Sequence, residues 1–147
     1  MRLEGSFEAP APPQKIWGII TDPRKIGKAI PDLKRLDTKD ENNFEAEFKV
    51  KLGILSGTMK MDFKYVDLRE PSHLTLVGKG SGMQSTVDLK IDLDIVGKGD
   101  AGSEVKWVSD ISLGGMAASL GSRVIQDLAR TKVKELVANL KKITASA

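Results

Sequence analysis

The chain has no cysteine and only one histidine and one tyrosine. Without cysteine, disulfides, thiolate metal sites, thiol nucleophiles and redox motifs are excluded together, and nothing calls for an oxidising compartment. With His73 as the sole histidine, a zinc or iron site would have to be built almost wholly from carboxylates, which suit neither metal. His73 follows Pro71-Ser72 at the start of a predicted strand, in solvent, and no Gly-x-Ser-x-Gly elbow accompanies it. No catalytic set, metal or cofactor is therefore expected. Aromatics are scarce (four Phe, two Trp, one Tyr) and are not clustered with basic residues. That excludes a platform for stacking bases, and nucleic acid as a partner. No run approaches the roughly 18 to 20 apolar residues that span a bilayer, and Met1-Arg2-Leu3-Glu4-Gly5-Ser6 has no apolar leader core. The expectation is a cytoplasmic protein.

What is present is ordinary for one folded unit. The 147 residues, 40% apolar and 29% charged, suffice for a single core, so residues 1–147 are read as one domain. The net charge of +3 aids solubility and permits weak attraction to anionic surfaces.

Leu3, Gly5, Phe7 and Ala9 alternate with polar residues as in a half-buried strand, which stops at Pro10-Ala11-Pro12-Pro13. Ile16, Trp17, Ile19 and Ile20 then follow at helical spacing. Asp22-Pro23 opens a second short helix over residues 23–29, which Pro31 ends. Regular alternation returns at Phe44, Ala46, Phe48, Val50 and Leu52, at Met59, Met61, Phe63 and Tyr65, at Val87 through Ile95, and at Val105 through Leu113. Residues 53–57, 70–72, 78–82 and 97–102 read as turns, so the strands are antiparallel, with one wet and one covered face. Asp88, Asp92 and Asp94 share the wet face with Lys90. Gly78-Lys79-Gly80-Ser81-Gly82 lacks the Gly-Lys-Ser/Thr of a phosphate loop and reads as a hairpin turn. From residue 116 to 143 an amphipathic stripe (Ala117, Leu120, Val124, Leu128, Val133, Leu136, Leu140, Ile143) predicts one helix roughly 40 Å long.

The expected class is α+β: a curved antiparallel sheet of about six or seven strands wrapped around a long C-terminal helix, with two short helices after strand one. The start of that helix, Gly114 through Ser122, is dominated by small side chains. Two readings stay open: small residues facing a concave sheet leave an apolar void, or they let the helix pack closely. If a void exists, the residues to line it are Trp17, Ile20, Ile30, Met59, Met61, Phe63, Met83, Leu89, Ile91, Trp107, Met116, Leu120, Gly121 and Val124. Plain core packing competes for each Met and Trp. Arg24, Lys25 and Lys28, with Ile54-Leu55 in a glycine-bounded turn, would form a basic, apolar-tipped rim for weak membrane contact, against the plainer reading of a solvated helix face and a buried turn.

Several runs resemble the START-like helix-grip superfamily (SRPBCC) and, within it, the CoxG family, named for the G component of carbon monoxide dehydrogenase. They are Gly5-Ser6-Phe7, Ile16-Trp17 followed by Asp22-Pro23, Ala29-Ile30-Pro31, Gly57-Thr58-Met59 and Gly121-Ser122-Arg123. Family members commonly carry Pro-Gly where this chain has Pro31-Asp32. The resemblance implies a hydrophobic cavity between sheet and helix, and an accessory role beside a molybdenum hydroxylase such as carbon monoxide dehydrogenase, through membrane recruitment or delivery of an isoprenoid quinone. The function expected is non-enzymatic binding of a lipid-like or quinone-like molecule. Its rivals are a cyclase- or hydrolase-type enzyme on the same fold and a protein-interaction module with a filled core.

Overall fold

In the computed structural model, which describes residues 1–52 and 55–146, strand alternation becomes one sheet. The chain runs β1 (Arg2–Ala9), α1 (Pro13–Ile20), α2 (Pro23–Ile26), β2 (Leu33–Thr38), β3 (Asn43–Leu52), β4 (Leu55–Arg69), β5 (His73–Gly82), β6 (Ser85–Gly97), β7 (Ser103–Gly115) and α3 (Ser122–Ser146). The seven strands lie in the order β1-β7-β6-β5-β4-β3-β2, every neighbour antiparallel. The helix grip expected from the sequence is what forms.

Register puts the predicted apolar sets on one face. Phe44 pairs with Phe63, Phe63 with Gly78, Gly78 with Leu89, and Leu89 with Ile111. The stretch 78–82 is therefore inside β5 rather than a turn. Its glycines serve a different need, because a Cβ on Gly78 would lie 2.8 Å from the Phe63 ring and one on Gly80 would lie 2.5 Å from Met61 Cγ. The turn itself is Met83 and Gln84, both at positive φ (54° and 57°), the sign pair that a two-residue hairpin loop of the common type needs.

The last helix is shorter than its apolar period suggests. Met116–Leu120 is a 3-10 turn, and Gly121 at φ 87° separates it from α3. A left-handed residue cannot continue an α-helix. The turn is pinned to the sheet where Ser85 Oγ accepts the Ala117 N–H at 2.9 Å.

The ends of the sheet differ. At one end, α1 closes the sheet over a dry cluster including Ile16, Trp17, Phe44, Tyr65, Leu74 and Val105. Tyr65 Oη donates to the Ile20 carbonyl there at 2.7 Å, and burial pushes its pKa well up. The C-terminal end of α3 adds a satellite core in which Leu140 meets Ile19 and Ala29, with Asn139 donating to the Ala29 carbonyl. The other end holds the β3–β4 hairpin, the Met83-Gln84 turn and the start of α3.

Candidate functional site

Following the apolar face from the closed end to the other, burial falls away in β3, β6 and β7, while β4 stays buried as far as Met59. In β3, Phe44 and Ala46 are buried while Phe48 and Val50 are half-buried. In β6, Ile95 is buried while Leu93, Ile91, Leu89 and Val87 are half-buried. In β7, Val105 is fully covered while Trp107, Ile111 and Leu113 are not. The helix that should cover them does so only near its C-terminus. Among the described residues of α3, Leu140 and Thr144 alone are buried, and Val124 is 50% exposed. The apolar surface between sheet and α3 is thus covered at one end and partly exposed at the other, which is the outline of a cleft.

The base of the cleft is aromatic. Phe44 and Phe63 stack with centroids 4.9 Å apart, and Phe48 meets Phe63 edge-on at 6.3 Å. Opposite, the Trp107 indole lies across Gly5, where a Cβ would come within 2.8 Å of the ring. Among the described residues, no polar side-chain atom is left enclosed without a hydrogen-bond partner. By the register, Tyr65 is the one ionisable side chain on this face of the sheet among the described residues, and the Ile20 carbonyl already takes its hydroxyl.

The expected lining residues fall into three places. Met59, Met61, Phe63, Leu89, Ile91 and Trp107 share the apolar face of β4, β6 and β7, the first three buried and the last three half-buried. Trp17 and Ile20 are buried at the closed base, and Ile30 is half-buried in the turn after α2. The rest gather at the open end: Met83 lies over Gly57, Leu120 is half-buried, Met116 is 40% exposed, and Gly121 is exposed, with open space where a Cβ would stand. Sequence reasoning passed over Phe48, Val50, Leu76, Leu93, Leu113 and Leu128, although the alternation in β3, β6 and β7 already pointed to most of them.

Of the expected membrane rim, Ile54 lies outside the described residues and Leu55 begins β4. Lys25 and Lys28 instead line a groove of about 510 Å³ with Lys15, Gly18, Ile19 and Ile143, between α1, α2 and the end of α3. The structure does not bring them to the β3–β4 hairpin. A second groove, of about 540 Å³, lies at that hairpin. Val50, Leu128 and four lysines (34, 49, 51 and 132) line it, with Asp32.

His73 is not in solvent but half-buried, on the face away from the cleft. Its Nδ1 lies 2.8 Å from Asp94 Oδ1, its Nε2 lies 3.4 Å from Asp67 Oδ2, and the neighbouring Thr75 hydroxyl donates to Asp92. Its register partner Asp94 sits on the wet face as the alternation predicts. The Thr75 hydroxyl, itself buried, also lies 3.5 Å from His73 Nε2.

In comparison with known proteins, the family model for the G component of carbon monoxide dehydrogenase (CoxG) matches residues 5–144. A conserved protein from Geobacillus kaustophilus superposes with a TM-score of 0.91 at 20% identity, covering 99% of this chain and 96% of that one. A START superfamily protein from Mycobacterium smegmatis does so with a TM-score of 0.73 at 12% identity, covering 99% and 97%. A Thermus thermophilus protein gives 0.72 at 11%, covering 99% and 98%. These likenesses establish the START-like fold. A search of curated proteins found no match. Among the described residues no helix is long and apolar enough to cross a membrane. Family and fold together support a helix-grip protein of the ligand-binding kind.

Proposed function

The chain belongs to the CoxG family of carbon monoxide dehydrogenase components, and from that premise we propose that it carries a hydrophobic molecule, lipid-like or an isoprenoid quinone, in the cleft between sheet and α3. The carrier serves a molybdenum hydroxylase of the carbon monoxide dehydrogenase type as an accessory or recruitment factor. Weak contact with anionic membrane surfaces through Arg24, Lys25 and Lys28 fits that role.

The observation that carries the reading is the burial gradient along β3, β6 and β7 beneath a helix covered only at its far end. Apolar surface left half-wet is a standing free-energy cost of about 25 cal/mol per Å², and a guest that covers it recovers that energy. A filled interaction module would have packed the open end as tightly as the closed one. An enzyme would require a reactive group on the apolar face, and Tyr65, the one ionisable side chain there among the described residues, is tied to Ile20. Binding without bond-making is the function that remains.

The test is native mass spectrometry of purified protein, alone and after incubation with decylubiquinone and with a monoacyl lipid. The expected result is a one-to-one complex with at least one of them. Protein that stays empty in every case overturns the carrier.

A further inference from the structure

The mouth of the cleft is strongly basic. Its groove carries four lysines against one aspartate, a net +3 that equals the excess of the whole chain. The imbalance is local. Further along the sheet, Glu45 is ringed by Arg35, Lys39 and Lys60. At the mouth Lys132 has carboxylate partners in Asp32 and Glu135, while Lys34 reaches the Thr58 hydroxyl at 3.4 Å. Among the described residues, no carboxylate pairs with Lys34, Lys49 or Lys51. By alternation Lys49 and Lys51 leave β3 on the face opposite Val50, and they line the groove together with Val50 and Leu128 at the edge of β3 beyond its pairing with Leu33.

The geometry points to an amphiphile with an anionic head as the guest: its chain lies on the apolar face and its phosphate or carboxylate rests among Lys34, Lys49, Lys51 and Lys132. This rests on the carrier reading and narrows it, because a neutral quinone would leave the lysines unanswered. Hydrogen bonds from ammonium groups to such an oxyanion are charge-assisted, so the head supplies affinity as well as orientation. The apolar chain supplies what a free anion lacks.

The test compares dodecyl phosphate with dodecanol, both below micelle-forming concentrations, with Trp fluorescence and calorimetry as readouts. The expected result is that dodecyl phosphate binds at least about tenfold tighter, since one charge-assisted hydrogen bond is worth that much. The ratio should fall toward one in Lys49→Gln/Lys51→Gln, whose thermal unfolding checks that the fold is intact, and at high salt. Equal affinities in the native protein overturn the anionic head and leave the carrier standing. Binding of neither overturns both. Displacement by inorganic phosphate at comparable concentration overturns the amphiphile in favour of a free anion. A variant that loses its hold on anionic phospholipid vesicles but keeps the tenfold ratio makes the rim a membrane contact and overturns the proposal.

Discussion

The Tyr65 hydroxyl donates to the carbonyl oxygen of Ile20, the last residue of α1, at 2.7 Å within the dry end of the grip. A helix leaves its final carbonyls without partners, and this one faces no water. Removing the hydroxyl therefore strands a buried acceptor. Tyr65→Phe is expected to cost about 1–3 kcal/mol, read as a lower urea midpoint with an unchanged slope. A loss below a few tenths would mean that the bond contributes nothing.

Asp32 occupies the left-handed region at φ 61°, where family members commonly carry glycine, and its carboxylate accepts from Lys132 on α3. Aspartate tolerates that conformation better than most residues, so the turn survives the exchange and gains an ion-pair latch on the helix. The hydrogen bond to Asp32 holds the Lys132 pKa above the ordinary 10.5, against a smaller effect of burial, and the charges of Asp32 and Glu135 add to it. A lysine whose pKa is raised by folding contributes stability that is complete below its unfolded value and is lost as pH climbs through the folded one. Lys132→Met should be slightly less stable than the native protein at about pH 8, and the gap should close as the pH is taken well past the ordinary lysine value of 10.5. Urea midpoints at the two pH values measure it. A gap that widens with pH would contradict the latch.

Gly78 gives the ring of Phe63 a flat bed, and that ring is held by Phe44 on one side and Phe48 on the other. It cannot step aside cheaply. Gly78→Ala gains about 0.4–1 kcal/mol by restricting the unfolded chain, but overpacking here costs about 1–3 kcal/mol, so net destabilisation is expected. Gly121→Ala meets no neighbour and should pay only its left-handed backbone, roughly 1–2 kcal/mol. Thermal melts of the two variants test both values.

These cases show where sequence reading succeeds and where it stops. Alternation at Phe44, Ala46 and Phe48 is a local signal with a period of two, and it survives into the register because one buried face enforces it. Gly78 and Gly80 misled because glycine is needed both for turns and for close approach, and which applies depends on Phe63 and Met61 in a different strand. The helix start misled for a related reason. The apolar period runs unbroken through Leu120, while Gly121-Ser122, a turn residue followed by a helix-starting one, was the local sign of the break. The lysine rim had no such sign. Lys49 and Lys51 look like ordinary wet-face residues, and Lys132 joins them only through the path of α3.

That path makes the last prediction. Val124 is half exposed and Leu128 lines the mouth, so neither contributes much to the folded core, although both belong to the apolar stripe of α3. In an ordinary amphipathic helix, an aspartate on the stripe would cost several kcal/mol through burial of a charge. Here the double change Val124→Asp/Leu128→Asp should shift stability by no more than about 1 kcal/mol, as for surface sites, because water already reaches both positions. It should nonetheless weaken uptake of an apolar probe such as decylubiquinone by tenfold or more, at about 1.4 kcal/mol per tenfold, since the guest would have to cover two carboxylates. Quenching of Trp107, half-buried on the cleft face, reads the uptake, and chemical denaturation reads the stability. Large destabilisation with unchanged uptake would mean that α3 lies flat on the sheet in solution and that the cleft is closed.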